Sequence, residues 1–421
     1  MIYILSPYNI DINTTARNRI LSFYSALSKH GLAVKILNPP LLARDTEAKS
    51  KGILKYEGDG DDILSFELRE NKIEQLIAKL IGNGNNRKAT TLLGFLSLLI
   101  KGCDFYYPAN SLKEYFKSYP LQAQDVLIAS GFPYSLFKVA AELAREKNCK
   151  VILDYRDPWT YTYIPLDSNA LIGRIKNKLQ RKTEELCLAT AEKAFCDSEP
   201  VKKLFPPKYQ DKIGVLLNGA NLQVIKTERI IAHYPVFRIV YLGTLYNDQL
   251  TDLSFFRALS HLIASKQIAQ GQLEVLFVGS LSNALLPETI INFGLTEFIK
   301  ITRRLSLLEA IEIAYTAAAF LHLKYGDRTE IDSSKHLDYL ALQKPILLPS
   351  SDQGNVEKSI KEQHAGYVCY SENECYGAMQ ELWEKHQKGE SFIIPRSERF
   401  LYGISREAEA EKLVKVVKRL V

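Results

Sequence analysis

No stretch of this 421-residue chain is apolar for long enough to cross a bilayer. The longest run, Thr-Leu-Leu-Gly-Phe-Leu-Ser-Leu-Leu-Ile at 91–100, falls short of the roughly 18 residues a spanning helix needs. The start, Met-Ile-Tyr-Ile-Leu-Ser-Pro-Tyr, has neither a basic leader nor a small-residue cleavage site. It is read as a first strand, and the protein is expected in the cytoplasm. Six cysteines, at 103, 149, 187, 196, 369 and 375, show no Cys-x-x-Cys spacing, which speaks against a disulfide framework or a zinc ribbon. Histidine is nearly missing from the first half, where His30 is the only one in 232 residues. No His/Asp cluster has metal-ligand spacing, and no Ser/His/Asp or Cys/His constellation points to a hydrolase. No Gly-x-Gly-x-x-Gly follows the first apolar run, which argues against a dehydrogenase. Low-complexity tracts and short repeats are also lacking.

What is present describes a globular chain of two parts. Apolar residues make up 46% and charged residues 24%, and the length exceeds what one core usually serves. Charge is uneven: through Asn221 there are 31 Lys+Arg against 24 Asp+Glu, a balance of +7, and the remainder holds 23 against 24, a balance of −1. The basic first half either meets an anionic ligand or surface or carries a solvated basic face.

Short apolar runs at Ile2–Leu5, Ala33–Leu37, Val126–Ala129 and Val151–Leu153 alternate with helical stretches such as Arg17–Lys29 and Leu136–Lys147. The scheme repeats with runs at Arg238–Leu242, Glu274–Val278, Phe298–Ile301, Phe320–Leu323 and Pro345–Leu348. Strands bounded by Gly, Pro, Asn or Ser and separated by helices predict parallel sheets in two α/β domains, 1–222 and 236–402. The mixed segment 223–235 is read as a linker. The charged amphipathic stretch Ser405–Leu420 predicts a last helix, within a segment 403–421.

Open α/β sheets bind ligands outside the carboxyl ends of their strands, which directs attention to residues just after each run. These are Asp154-Tyr-Arg-Asp-Pro-Trp159, Gly243-Thr-Leu-Tyr246, Gly279-Ser280 and the polar cluster from Glu330 to Asp338. Gly243 and Gly279 let the main chain come close to a diphosphate, and a helix N-terminus adds partial positive charge. Lys335 lies one turn before Asp338, where it could pair with that carboxylate or meet a phosphate. Glu330 and Asp332 could instead cap a helix from about Ser333.

Taken in order, Asp154-Tyr-Arg-Asp-Pro-Trp159, Asp197-Ser198, Asn218-Gly219, Tyr241-Leu-Gly-Thr-Leu-Tyr246 and Ser334-Lys-His-Leu-Asp-Tyr-Leu-Ala-Leu-Gln-Lys-Pro-Ile346 resemble family 4 retaining glycosyltransferases of the GT-B fold. The resemblance implies two Rossmann-like domains with parallel sheets facing across a cleft, and a C-terminal helix packed back on the first domain. It implies transfer of a sugar from a nucleotide-diphosphate donor, with retention, to a glycan or polyprenyl-diphosphate-linked acceptor in cell-envelope polysaccharide synthesis. No metal or other cofactor and no nucleic-acid partner is expected.

The same resemblance assigns roles. Glu330 and Asp338 stand where the family places two glutamates, the first beside the donor sugar and the second on the ribose. Gly243, Thr244, Gly279 and Lys335 fall at the donor site. Many relatives have a basic pair after the strand-end glycine, whereas this chain has Asn247-Asp248-Gln249, leaving Arg303, Arg304, Lys324 and Arg328 as compensating cations. Where many relatives keep a catalytic histidine, this chain has Arg156 and Asp157, expected to steady the diphosphate or orient the acceptor hydroxyl. Two alternatives stand beside this: a nucleotide-sugar epimerase of the same architecture, and a non-catalytic sugar-nucleotide or glycan-binding partner.

The stretch Leu-Ile-Gly-Arg-Ile-Lys-Asn-Lys-Leu-Gln-Arg-Lys at 171–182 has five basic residues and no acid. With Arg87-Lys88 and Lys101 flanking the run at 91–100, it predicts either peripheral contact with an anionic membrane at the inner face of the cell membrane or two helices packed on the first-domain core.

Overall fold

The structure is a computed structural model describing residues 1–41, 53–58, 60–67, 109–162, 171–329 and 334–421. The described chain forms two compact units, one of Met1–Asn218 with Glu409–Val421 and one of Gly219–Ala408.

The first unit is built on seven parallel strands. Four were expected: β1 (Ile2–Leu5), β2 (Val34–Asn38), β4 (Val126–Ser130) and β5 (Lys150–Asp154). Three short ones, β3 (Ile63–Ser65), β6 (Lys193–Cys196) and β7 (Ile213–Val215), complete the order β3-β2-β1-β4-β5-β6-β7. Register is fixed at the centre, where Ile2 sits opposite both Val34 and Val126. Alternation along each strand sends Leu5, Leu37, Leu127, Val151 and Leu153 into one core and Ile2, Ile4, Ile36, Val126, Ile128 and Ile152 into another. Both faces are therefore covered, as near-continuous apolar strands require. Helix α1 (Thr15–Lys29) covers the second face with Ile20, Phe23 and Leu27, joined by Ala410, Leu413, Val414 and Val417 of the last helix (Arg406–Val417).

The second unit has six parallel strands: β8 (Phe237–Leu242), β9 (Leu273–Val278), β10 (Ile299–Ile301), β11 (Ala319–Leu321), β12 (Ile346–Leu348) and β13 (Gly366–Val368). Their order, β10-β9-β8-β11-β12-β13, steps outward from β8 in both directions. Phe237, Ile239, Tyr241, Val275 and Phe277 point into one core with Phe255, Phe256 and Trp383. On the other face Phe320 stacks on Tyr339 at 4.4 Å, within the helix Ser334–Ala341. The segment 223–235 is docked on this unit: the Lys226 N–H donates to the Tyr315 hydroxyl at 2.6 Å, and the Phe392 N–H to the Ala232 carbonyl at 3.0 Å.

Candidate functional site

In the second sheet the strand order reverses between β8 and β11, and a crevice opens at such a reversal beyond the carboxyl ends. Gly243 follows β8 at φ +98° and Gly279 follows β9 at φ +87°. The Gly243 N–H donates to the Val278 carbonyl at 2.8 Å, the Ser280 hydroxyl to the Gly243 carbonyl at 2.9 Å, and the Gly279 N–H to the Thr302 hydroxyl at 3.1 Å. A β-carbon on Gly243 would meet nothing within 4 Å. Within the fold, glycine is required there by the positive-φ backbone and not by packing, and its α-carbon faces open space.

Lys335 reaches the same place from the first turn of the helix Ser334–Ala341. Its ammonium donates to the Tyr241 hydroxyl at 2.5 Å, 4.0 Å from that ring's centroid and 5.6 Å from that of Tyr325. Tyr241 in turn lies 3.0 Å from both the Thr244 carbonyl and Gln249 Oε1. No carboxylate among the described residues comes within ion-pair distance of Lys335, and desolvation lowers its pKa to about 7. It does not pair with Asp338. The Asp338 carboxyl accepts the Asn221 N–H at 3.3 Å; burial raises its pKa, against the opposing pull of Arg406 and that hydrogen bond.

The turn Asn247–Leu250 replaces a basic pair with structural groups. Gln249 is buried, accepts the Tyr246 N–H at 3.2 Å and donates to the Leu323 carbonyl at 2.9 Å. The Lys324 ammonium stands 3.8 Å from Asp252, and Arg303 is exposed. Glu330 lies outside the described residues. Its neighbour Thr329 is anchored, since its carbonyl accepts the Asn355 N–H at 3.1 Å and a β-carbon on Gly354 would fall 2.1 Å from that oxygen.

Sequence reasoning passed over two histidines beside this crevice. His322 follows β11, fully buried, with its imidazole pKa driven well down by desolvation and then by His336 and Lys335. His336, on the same helix as Lys335, lies 2.7 Å from the Ser359 hydroxyl, and burial lowers it to about 4. Both therefore stay neutral near pH 7 and back the site as uncharged groups. Their signal in the sequence is position alone, one just after a strand and one within the polar cluster.

In the first unit the Asp154-Tyr-Arg-Asp-Pro-Trp159 segment divides its labour. Asp154 points inward to Arg19, with Arg19 Nη2 to Oδ1 at 2.7 Å and Nε to Oδ2 at 2.9 Å, and it also accepts the Ser130 hydroxyl at 2.9 Å. Arg19 also donates to the Leu216 and Leu217 carbonyls. The pair is sealed: both side chains are at most 3% exposed. Arg156, at φ +47°, donates to the Gly131 and Phe132 carbonyls, while Asp157 is exposed. Trp159 is buried and stacked 5.0 Å from Tyr134, whose hydroxyl holds the Asp157 carbonyl at 2.9 Å.

Two further motifs turn out structural. Gly219 at φ +70° has no room for a β-carbon, which would sit 2.6 Å from the Arg406 nitrogen. Ser198 caps the helix Glu199–Leu204. Among the described residues no group of three His, Cys, Asp or Glu side chains is placed to hold a metal ion, and no helix is long and apolar enough to cross a membrane.

No family profile and no curated protein sequence matches this chain. Solved structures do. Sucrose-phosphate synthase from Thermosynechococcus elongatus is similar with a TM-score of 0.64 at 12% identity, covering 100% of this chain and 98% of that one. The pneumococcal O-GlcNAc transferase GtfA, in complex with UDP and GlcNAc, is similar with a TM-score of 0.61 at 11% identity, covering 100% and 98%. An assigned UDP-N-acetylglucosamine 2-epimerase from Listeria monocytogenes is similar with a TM-score of 0.52 at 10% identity, covering 99% and 95%. The chain has the GT-B fold, with two parallel-sheet α/β domains.

Proposed function

We propose that this protein is a retaining glycosyltransferase of the family 4 type, moving a hexosyl group from a nucleotide-diphosphate donor to a glycan or lipid-linked acceptor in envelope polysaccharide synthesis. The observation that carries the reading is the Lys335 ammonium: a desolvated cation with no carboxylate in contact among the described residues, held on Tyr241 at the end of β8, the strand that Gly243 follows at positive φ. A diphosphate placed there supplies a counter-charge that the described residues do not. Lys335 takes the place of the basic pair that Asn247-Asp248-Gln249 does not supply, and Gly243, Thr244 and Gly279 line the approach. Lys324 and Arg303 add a weaker outer field. Similarity of fold to transferases solved with UDP supports the donor class.

In this reading the acceptor oxygen bonds to the anomeric carbon as the bond from that carbon to the diphosphate breaks, and the acceptor proton passes to a departing phosphate oxygen. No side-chain base is needed. Glu330 fixes donor hydroxyls, Asp338 the ribose, and Arg156 and Asp157 orient the reacting groups; no metal is required. For Asp338 to reach a ribose it must release the Asn221 N–H. The exposed Arg174, Ile175, Lys176, Lys178 and Lys182 on the helix Leu171–Thr190 suit contact with anionic lipid bearing the acceptor. The run at 91–100 and its flanking cations lie outside the described residues.

Thermal-shift titration with UDP, GDP and ADP tests the donor site, since a ligand of the native state raises Tm by mass action. One nucleotide is expected to raise Tm and to be released from its sugar donor in the presence of acceptor. Glu330→Ala should keep the nucleotide shift and lose transfer by roughly a hundredfold or more, as loss of hydrogen bonds from a charged group implies. No shift with any nucleotide overturns the reading. The epimerase alternative draws on similarity to the Listeria protein and predicts a changed donor sugar without acceptor.

A further inference from the structure

A carboxylate that the site does not use is buried beneath the loop bearing Arg156 and Asp157. Glu184, on the helix Leu171–Thr190, is fully buried. Its Oε2 accepts both the backbone N–H of Thr160, at 3.0 Å, and the Thr160 hydroxyl. Arg181, one turn earlier, donates to the Thr160 carbonyl at 2.7 Å and lies 4.1 Å from the centroid of the Tyr161 ring. Every polar group of Thr160 is thus held by one helix. Upstream, the Tyr134 hydroxyl holds the Asp157 and Pro158 carbonyls. The loop from Tyr155 to Tyr161 is thus pinned at Asp157, Pro158 and Thr160, immediately after Arg156.

Burying a carboxylate without a cation in contact costs stability, and such a cost is retained where it fixes something functional. We infer that Glu184 is the positioning residue that sets the Arg156–Asp157 loop and ties it to the basic helix Leu171–Thr190. The inference rests on the reading above that this loop serves the transfer reaction. The groups facing Glu184 are Tyr155 and Tyr161 from the loop and Arg181 from its own helix. Desolvation raises its carboxyl to about 7, so the clamp ionises within the physiological range.

Trp159 lies in this loop, and Trp383 is the chain's other tryptophan. In a Trp383→Phe background, emission reports Trp159 alone. Emission should titrate between pH 5.5 and 8.5, without nucleotide or acceptor, and the transition should vanish in Glu184→Gln. In transfer assays Glu184→Gln should raise the acceptor KM about tenfold and leave the donor KM unchanged, and Glu184→Asp should restore part of the acceptor affinity. Emission flat with pH in the Trp383→Phe protein, or an unchanged transition in Glu184→Gln, overturns the inference, as does an unchanged acceptor KM. Should Glu184→Gln fail to fold, the titration of the Trp383→Phe protein and the Glu184→Asp acceptor KM decide. A titration that behaves as expected in a protein that transfers no sugar condemns the transferase reading alone.

Discussion

The two sheets place opposite kinds of charge behind their carboxyl edges. At the end of β5 the Asp154 carboxylate is locked to Arg19, both sealed from water and with nearly every donor and acceptor matched. Beside the end of β8 Lys335 is also desolvated, yet it has a tyrosine hydroxyl and no carboxylate in contact among the described residues. A matched buried pair holds a fold in register. A half-buried, desolvated cation with no carboxylate in contact among the described residues is a group that an anion would stabilise. The first edge is built for a rigid loop; the second is the edge to which the proposed function assigns a charged ligand.

The largest expected effect comes from unmatching the matched pair. Asp154→Ala leaves the Arg19 guanidinium buried without its counter-charge, which should cost about 3–5 kcal/mol. Urea unfolding monitored through Trp159 in a Trp383→Phe background would read it. Asp338→Asn in the second unit should show the reverse. Burial raises the Asp338 carboxyl above its ordinary 3.8. A carboxyl raised on folding binds its proton more tightly in the native state, so its contribution is greatest at low pH and declines as pH climbs above 3.8 through the raised value. Asp338→Asn should therefore be neutral or stabilising at pH 7 and should flatten that decline. A loss as large as that of Asp154→Ala would erase the contrast.

Next in size is Lys335→Met. Removing a charged hydrogen bond to phosphate should weaken nucleotide binding by about 1.5–3 kcal/mol, roughly ten- to a hundredfold in Kd by titration calorimetry. The ligand-free protein should be as stable or more so, because the desolvation penalty disappears. The lysine's folded pKa, lowered to about 7, means that native stability rises with pH from there toward the ordinary 10.5 as the unfolded chain gives up its proton. Diphosphate binding should reverse that shift and take up a proton at pH 8, detectable as a dependence of the binding heat on buffer ionisation enthalpy. Lys335→Met should take up none.

Much of this contrast can be seen in the sequence, and the unseen part has a common cause. The central strands stand out because both faces are buried and the runs are almost wholly apolar. The strands β3, β6, β7 and β13 escape notice because they are three or four residues long and carry residues such as Lys193, Gly214 and Gly366. Gly243, Gly279 and Lys335 are singled out as candidates by their positions after strands. Arg19 and Glu184 are not, because charged side chains on helices default to solvent. Yet Arg19 shares its helix face with Ala16, Ile20 and Phe23, and Glu184 falls between the buried Gln180 and Leu188. A charge on an apolar face was the available signal. What no pattern reveals is where the charge goes, since Asp154 is 135 residues from Arg19.

The smallest expected effect separates backbone conformation from site. Gly31, at the end of α1, and Gly243 both have positive φ, +71° and +98°, and at both a β-carbon would meet nothing within 4 Å. Alanine at either position should therefore cost only the penalty of the left-handed backbone, about 1–2 kcal/mol, with no clash added. Stability alone should not tell the two variants apart. Nucleotide affinity should, because in the proposed reading the space that a methyl group enters at Gly243 is the approach to the diphosphate, while Gly31 ends α1 in the first unit and has no part in that reading. Gly31→Ala should leave the nucleotide Kd unchanged and Gly243→Ala should weaken it severalfold. Equal Kd values for the two variants, at matched stability loss, would remove Gly243 from the donor site and leave its glycine explained by the turn after β8 alone.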